Sequence, residues 1–310
     1  VVATDGTGRE RWRFTFPTDE TTALPDVPPV VLTDGPSPAA LATTALSFHP
    51  ATGVSTSGLL RWFSLNDGAL LRTFSFTDRM SFAGHAFGEP WVLSDVRSRS
   101  GSAPLRIAVA GRHNTWWPSL VTILDEHFDR HGTFVNRGWV LAVRWLDAHR
   151  IAIAGFNESR NGGMLAVLDA DHLDGTSPEL SGATTTCEGC PAGRPLFYAV
   201  FPRSELNTIT ASRFNGAGLD VHPDGSLSVR TKELERETEA GPVAEALYEF
   251  SSTLELTSAS YGAAYWDRHT SLEIAGRVTH PREQCPERSG PPSIYVWTPA
   301  TAWRAMHAPR

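Results

Sequence analysis

Three cysteines and one histidine are the first residues of this chain whose types and spacing point to chemistry. Cys187 and Cys190 form a Cys-x2-Cys pair, and His280 and Cys285 would complete a Cys3His set of zinc ligands. Ninety residues separate Cys190 from His280, so the pattern specifies zinc weakly. A disulfide, within the pair or to Cys285, or free thiols, is the preferred interpretation. The pair lies in a loop rather than at the start of a helix, which argues against thioredoxin-like redox chemistry.

A second group of candidates lies in two loops that each join a pair of predicted strands. Trp and Arg are enriched at binding hot spots, and two adjacent Trp residues on a loop are hard to bury together. We therefore interpret the loops as a surface that binds a protein partner or a small ligand. The alternative is that both Trp side chains pack against a neighbouring sheet. The residues are His113, Asn114, Trp116 and Trp117 in the first loop, and Asn157, Glu158, Arg160 and Asn161 in the second.

Motifs for calcium binding and for catalysis are incomplete. Asp169–Gly175, DADHLDG, is one residue off the spacing of a calcium loop and lacks the later Glu, so a polar turn is preferred. Gly53–Ser57, GVSTS, lacks the final Gly of a nucleophile elbow. HExxH and GxxxxGK[ST] motifs are absent. The eleven His and many acids could still converge in space, so a hydrolase or lyase stays as the enzyme alternative. We expect no cofactor, with zinc as the alternative.

Short strands that recur along the chain would position these residues. Within Gly138–Asp171, the segments WVLAVRWL, RIAIAG and MLAVLD are rich in β-branched and aromatic residues and are separated by polar turns. His149–Gly155, HRIAIAG, repeats Leu105–Gly111, LRIAVAG, after forty-four residues. Strands that recur at this period are typical of propeller blades. The sequence therefore predicts an all-β fold, a single β-propeller over residues 1–310, with five blades, or six as the alternative, of four-stranded antiparallel sheets.

The same pattern predicts the limits of the repeated units. Residues 88–137, 138–180 and 196–260 each hold one unit. Asn66–Gly68 and Pro223–Gly225 lie between alternating apolar stretches, which is a strong signal for a hairpin turn.

The two ends of the chain are predicted to complete the ring. Val1–Pro17 is one hairpin, and the strand within residues 293–303 would pair with it, because closure removes the unpaired edges of a sheet. Residues 262–276 have apolar side chains near helical spacing and end at Gly276, which predicts one helix near the C-terminus.

Several of these segments resemble known bacterial propellers. Roughly residues 88–280 are similar to FG-GAP-like domains, and the segments that carry this similarity are RIAVAG, WWP, LVTILDE, RIAIAG, LAVLDADHLDGTSPE, CEGCP and FYAVFPRS. A second segment, ATDGTGRERWRF, resembles a repeat of pyrroloquinoline-quinone-type propellers. The resemblance implies a domain that is often attached to membrane-anchored or regulatory proteins. FG-GAP blades typically carry a calcium loop with several acids, whereas Asp147–Arg150, DAHR, holds one acid, so calcium is not expected. Residues that would hold a quinone are also missing.

Composition and charge narrow the range of partners. The net charge is −7, without a cluster of basic residues, so nucleic acid is not an expected partner. No apolar run reaches the roughly 18 residues of a spanning helix, although a segment upstream of Val1 would be able to hold a signal or anchor. The Arg-rich, Lys-poor composition suggests a bacterial source. We therefore expect a non-enzymatic binding or sensor module of a periplasmic or extracellular protein, more readily than an enzyme or a structural subunit of a larger assembly.

Overall fold

Short β-strands make up the described part of the chain. The computed structural model describes residues 1–15, 20–21, 30–32, 40–49, 54–82, 84–99, 104–113, 118–158, 162–178, 187–201, 213–234, 243–261, 272–274, 277–279 and 294–306. The strands are, in chain order, β1 Val2–Thr4, β2 Glu10–Arg13, β3 Glu20–Thr21, β4 Val30–Leu32, β5 Ala40–His49, β6 Val54–Ser64, β7 Leu70–Phe74, β8 Met80–Phe82, β9 His85–Phe87, β10 Trp91–Ser98, β11 Ile107–His113, β12 Pro118–Leu124, β13 Arg130–Arg137, β14 Val140–Trp145, β15 Arg150–Asn157, β16 Gly162–Asp169, β17 Gly175–Thr176, β18 Phe197–Val200, β19 Arg213–Val221, β20 Leu227–Leu234, β21 Val243–Phe250, β22 Leu256–Tyr261, β23 Leu272–Ile274, β24 Arg277–Thr279, β25 Ile294–Thr298 and β26 Ala302–Met306.

The first of two compact units comprises residues 1–136 and 170–193. One of its sheets has the strand order β10-β11-β12-β13-β17, and another has β3-β5-β6-β7 with β4 also on β5. Strands β1 and β2 form a separate pair, as do β8 and β9. The core is rich in aromatic side chains, including Phe76, Phe82 and Trp91, which are at most 2% exposed.

The second unit comprises residues 137–169 and 194–310. Its sheets have the strand orders β14-β15-β16-β18-β25-β26, β19-β20-β21-β22 and β23-β24. Phe201 and Tyr248 stack in its core with their ring centroids 4.0 Å apart and their planes 6° from parallel. A buried stacked pair of this kind contributes packing beyond the area that it buries.

The two copies of the RIAxAG repeat have matching local structure. In β11, Gly111 pairs with Leu93, and the register shifts just after Leu93. In β15, Gly155 pairs with Val140, and the register shifts just after Val140. A Cβ on Gly155 would lie 1.9 Å from the carbonyl oxygen of Trp139, so the close approach at this bulge requires glycine. The repeated text therefore encodes a repeated strand pairing and a repeated bulge.

The predicted four-stranded antiparallel sheets are present, with corrections to their membership. Residues 88–137 hold β10 to β13 as predicted, and β19 to β22 form one sheet by themselves. The predicted unit 138–180 supplies β14 to β16, but β18, from the predicted unit 196–260, pairs with β16. Strand β17 instead pairs in parallel with β13 of the first unit. Strand signals in sequence identify strands without identifying the partner of each, so the sequence did not predict which strand follows β14 to β16 in the sheet.

The helix predicted over residues 262–276 is wrong at its C-terminal end. Leu272–Ile274 is strand β23, and it pairs antiparallel with Arg277–Thr279. Residues 262–271 lie outside the described residues. The short segments LEI and RVT contain β-branched residues that favour strands, and this preference outweighs a few apolar positions near helical spacing. In the described residues we find no helical stretch with the length and hydropathy that crossing a bilayer requires.

Each end of the chain has its described strand pairings within its own unit. Strand β1 pairs with β2, and the indole Nε1 of Trp12 donates a hydrogen bond to the carbonyl of Leu65 at 2.9 Å. Strand β25 pairs with β18 and β26. The predicted closure of a ring by residues 1–17 and 293–303, and the number of blades, stay predictions.

Five hairpin turns share one aspartate arrangement. In each, the carboxylate Oδ1 accepts the backbone N–H two residues further along the chain, at 2.8 to 3.2 Å. These Asx turns satisfy backbone donors that would otherwise face solvent. The pKa is lowered at all five carboxyls. At Asp5, Asp67 and Asp224 the main cause is a hydrogen bond from a neighbouring hydroxyl. At Asp125 and Asp147 burial acts to raise the pKa, but hydrogen bonds to the carboxylate outweigh it.

Candidate functional site: a groove on the first unit

A groove of about 650 Å³ lies on a small sheet of the first unit. Strand β8 pairs with β9, and Ser81 is opposite Ala86 in this pair. On its other edge, β8 forms a single antiparallel bridge from Ser81 to Glu188. The groove is therefore built on three adjacent stretches of backbone, two from a hairpin and one from the Cys-x2-Cys loop.

The segment Cys187–Cys190, here called the wall loop, is seated on β8 by specific contacts. The N–H of Ser81 donates to the carbonyl of Glu188 at 2.9 Å, and the N–H of Glu188 donates to the carbonyl of Ser81 at 2.9 Å. Gly189 has φ +80°, and a Cβ there would lie 2.7 Å from the carbonyl oxygen of Arg79. Both the backbone conformation and the close approach require glycine. Cys187 and Cys190 form a disulfide that closes the loop.

The two faces of the β8–β9 pair differ in the size and burial of their side chains. Met80, Phe82 and Phe87 are 5%, 2% and 2% exposed and pack in the core of the first unit. Ser81 and Ala86 alternate with them along the strands, where successive side chains point to opposite faces, and form the floor of the groove, which Met80 and Phe87 also line. The floor of the groove is consequently shallow, and it brings little side-chain bulk between a ligand and the backbone.

Charged side chains of both signs form the rim of the groove. Arg79, Glu89 and Glu188 line it and are exposed. The hydroxyl of Ser81 donates to Oε2 of Glu188 at 3.1 Å, which fixes that carboxylate beside the floor. Within the described part of the chain, neither Arg79 nor Glu89 forms an ion pair. Two carboxylates and one guanidinium therefore face solvent around the groove.

His113, predicted as a ligand-binding residue, lies beneath this groove. Its ring makes edge contacts with those of Phe87 and Trp91, at centroid distances of 5.8 and 5.3 Å, and the residue is 7% exposed. Burial lowers the pKa of His113, and a hydrogen bond with the backbone of Gly88 acts in the opposite direction. Gly88 itself lines the groove. His113 thus supports the groove from below and has little surface to offer a ligand.

Asn157 and Glu158, predicted for the second loop, belong to the second unit and have internal partners. Asn157 is fully buried, and its side-chain amide donates to the hydroxyl of Tyr198 at 2.9 Å. Oε2 of Glu158 accepts from Nε of Arg137 at 2.7 Å. The other predicted members of the two loops, Asn114, Trp116, Trp117, Arg160 and Asn161, lie outside the described residues. The binding role of the eight residues therefore stays a prediction.

The sequence left open a disulfide within the pair, a disulfide to Cys285 and free thiols, and the structure has a disulfide between Cys187 and Cys190. A zinc site needs thiolate sulfurs, so the zinc alternative would require this bond to be reduced. His280 and Cys285, the other two candidate ligands, lie outside the described residues. In the part of the chain that is described, no three His, Cys, Asp or Glu side chains are grouped so that they could share a metal ion.

The acidic turn after β16 has structural partners, as a polar turn would. The carboxylate of Asp171 pairs with the guanidinium of Arg106. Oδ1 of Asp174 accepts the backbone N–H of Thr133 at 2.7 Å. These contacts attach the segment after β16 to the first unit.

Sequence reasoning missed the charged rim of the groove. Arg79 and Glu89 occur in no motif, and Arg79 lies over a hundred residues from Glu188 in the chain. The one available signal was the position of Glu188 and Gly189 between two cysteines, which marks a constrained turn that holds its side chains in place.

Comparison with known proteins gives structural similarity only. No family model and no curated protein matches the chain. It is similar to a GH93 α-L-arabinofuranosidase of Fusarium graminearum in complex with arabinobiose, with 7% identity and a TM-score of 0.41 over 95% of this chain and 84% of that chain. It is also similar to an endo-arabinase of Bacteroides thetaiotaomicron, with 13% identity and a TM-score of 0.32 over 91% of this chain and 93% of that chain. The similarity is to β-propeller proteins, and no FG-GAP or quinone-type assignment accompanies it.

Proposed function

We propose that this chain is a non-enzymatic binding module of the β-propeller type and that its ligand occupies the groove on the first unit. The observation that carries the proposal is the exposed rim of Arg79, Glu89 and Glu188 around a shallow floor. These three charged side chains have no ion-pair partner within the described residues. They can therefore pair with charges of a ligand without first breaking an ion pair inside the protein. Electrostatic complementarity of this kind sets specificity and association rate.

The floor and rim favour an extended peptide with basic side chains. Ser81, Ala86 and Gly88 leave space for a backbone to lie over the β8–β9 pair. The two glutamates can each accept hydrogen bonds from a Lys or Arg side chain, and Arg79 can pair with one carboxylate. Because the carboxylates outnumber the guanidinium, a basic peptide is preferred over an acidic one. A segment of a partner protein would present the same chemistry.

Three fluorescein-labelled octapeptides test this proposal by fluorescence anisotropy. They share an Ala, Ser and Thr sequence and carry two Arg, two Asp or neither; we call them the basic, acidic and neutral probes. We expect binding in the order basic, neutral, acidic, and weaker binding of the basic probe as salt is raised, because exposed charge pairs are screened. Equal binding of all three probes, or binding of none, would contradict the proposal.

Substitution of Ala86 tests whether the groove is the site. Ala86→Trp fills the floor of the groove, while the exposed position of Ala86 on β9 leaves the core unchanged. The matched control is Ala300→Trp, at an exposed turn between β25 and β26. We expect Ala86→Trp to abolish binding of the basic probe and Ala300→Trp to retain it. The same affinity in both variants would place the site elsewhere.

An enzyme is the second candidate, because two carboxylates, Glu89 and Glu188, line one groove. Paired carboxylates can serve as general acid and base in hydrolysis. All three ionisable side chains of the rim are exposed, whereas catalysis gains from the exclusion of water, and this difference favours binding. Turnover of chromogenic ester or glycoside substrates that is lost in both Glu89→Gln and Glu188→Gln would reverse the preference.

A location outside the cytoplasm is part of the proposal. The disulfide between Cys187 and Cys190 supports it, because such bonds persist in oxidising compartments and are rare in the cytosol. Fractionation of cells that express the full reading frame tests this location. Recovery of the protein in the cytosol with free thiols would contradict it.

A further inference from the structure

The wall loop supplies one side of the groove and depends on few attachments. Glu188 and Gly189 are its contributions to the lining. Its described contacts with β8 are the two backbone hydrogen bonds of Ser81 with Glu188 and the side-chain hydrogen bond between the same residues. After the loop, the next described backbone attachment is at Gly193, whose carbonyl accepts the N–H of Thr176 at 3.0 Å.

The disulfide is placed where it can control this loop. It joins the first and last residues of the loop, with their Cα atoms 5.6 Å apart. Both cysteines are partly buried against the core of the first unit, so the bond also fixes the loop against that core. Both residues are also partly exposed, and access of an attacking thiolate to one sulfur is a requirement for exchange.

We propose that the Cys187–Cys190 disulfide is a redox switch for the groove. A dithiol reductant that is present in the same extracytoplasmic compartment attacks one sulfur, forms a mixed disulfide, and leaves as its own cyclic disulfide. Two electrons and two protons pass to the protein, which gains two thiols while the dithiol is oxidised. Without the covalent link, the wall loop loses its closure, and the Glu188 carboxylate is no longer held beside Ser81. This inference rests on the proposed peptide-binding function of the groove.

The expected effect on binding follows from the lost carboxylate. An exposed charge pair contributes up to about 1 kcal/mol, which corresponds to a factor of about five. Reduction should therefore weaken binding of the basic probe about fivefold and leave binding of the neutral probe nearly unchanged. It should also expose the amides of Ser81 and Glu188, since these donate the two hydrogen bonds of the bridge.

The experiment uses the full chain with Cys285→Ser, so that the third cysteine cannot exchange. Affinity for the basic probe is measured before and after treatment with dithiothreitol, with thiols counted by titration. Hydrogen exchange, read by mass spectrometry on peptides that contain Ser81 or Glu188, is measured on the same samples without any probe. A further variant, Cys187→Ser with Cys190→Ser, reproduces the reduced state without reagent, and circular dichroism verifies that it is folded.

The outcomes separate this inference from the proposed function. Faster exchange at Ser81 and Glu188 together with weaker binding of the basic probe in both reduced forms supports the switch. Unchanged exchange, or faster exchange with unchanged binding, overturns it. If the oxidised chain binds no probe, the proposed peptide-binding function is wrong, and the redox control of binding is then wrong too, even if reduction speeds up exchange in the wall loop. If only the serine variant fails to fold, the chain reduced with dithiothreitol decides between these outcomes.

Discussion

Replacing Gly189 by alanine is the sharpest test of how the groove is built. The backbone at Gly189 has φ +80°, and a side chain in this left-handed region costs about 1–2 kcal/mol. The new Cβ would also lie 2.7 Å from the carbonyl oxygen of Arg79, about 0.7 Å short of ordinary contact. Relief of that clash moves the wall loop away from β8 and removes the two hydrogen bonds of Ser81 with Glu188. Each contributes about 0.5–1.5 kcal/mol, so docking of the loop weakens by about 2–5 kcal/mol in total.

The matched control for this variant is Gly8→Ala. Gly8 has φ +84°, and nothing lies within 4 Å of a Cβ built there, so it reports the conformational cost without the clash. A weakening of 2 kcal/mol corresponds to about thirtyfold faster opening. We therefore expect exchange of the Ser81 and Glu188 amides to accelerate by about thirtyfold or more in Gly189→Ala and to stay unchanged in Gly8→Ala. If both variants keep the protection of the parent chain, the close approach of Gly189 to Arg79 does not hold the loop, and the reasoning fails.

Three further predictions concern stability, each measured by urea unfolding. The pKa of the Asx-turn carboxyls Asp125 and Asp147 is lowered, so their contribution to the free energy of unfolding is full above the unfolded pKa of about 4 and is lost as pH falls through the lower folded pKa. Asp147→Asn should therefore reduce the loss of stability between pH 5 and 3. An unaltered dependence of stability on pH would contradict this. Tyr198→Phe removes one buried hydrogen bond of the Asn157 amide and should cost about 0.5–1.5 kcal/mol. A change below about 0.5 kcal/mol would refute that role. Cys187→Ser with Cys190→Ser opens a four-residue loop and should cost about 2 kcal/mol; no change would mean that the bond does not constrain the unfolded chain.

The local features of the fold were predictable because they depend on local chemistry. Asn66–Gly68 and Pro223–Gly225 were predicted as hairpin turns, and Gly68 and Gly225 have φ of +74° and +82° in those turns. The pairing of Phe197–Val200 with β16, and of Gly175–Thr176 with β13 in parallel, was not predictable. A strand carries its periodicity in its own residues, whereas its partner is chosen by contacts between distant parts of the chain.

The candidate site was predicted less well, for a related reason. The spacing of the cysteine pair is local and therefore visible in the sequence, and the structure has one of the alternatives that the sequence left open, the disulfide within the pair. The charged rim was missed because Arg79 and Glu188 become neighbours only through the bridge of Ser81 with Glu188. His113 lies near the groove but on its buried side, because the rings of Phe87 and Trp91 cover it. The residue type of His113 was compatible with ligand binding, but its burial leaves little surface for a ligand to contact.

The return of residues 170–193 to the first unit affects how this protein can be made and divided. A ribosome releases Trp91 long before Gly193, yet the sheet that starts at Trp91 receives its last strand only when Gly175 and Thr176 have been synthesised. By then the three strands of residues 140–169 have already been synthesised. No single cut of the gene separates the two units, so a fragment that ends at residue 136 would lack an edge strand and expose the backbone of β13. Expression of isolated halves should therefore fail where the undivided chain succeeds.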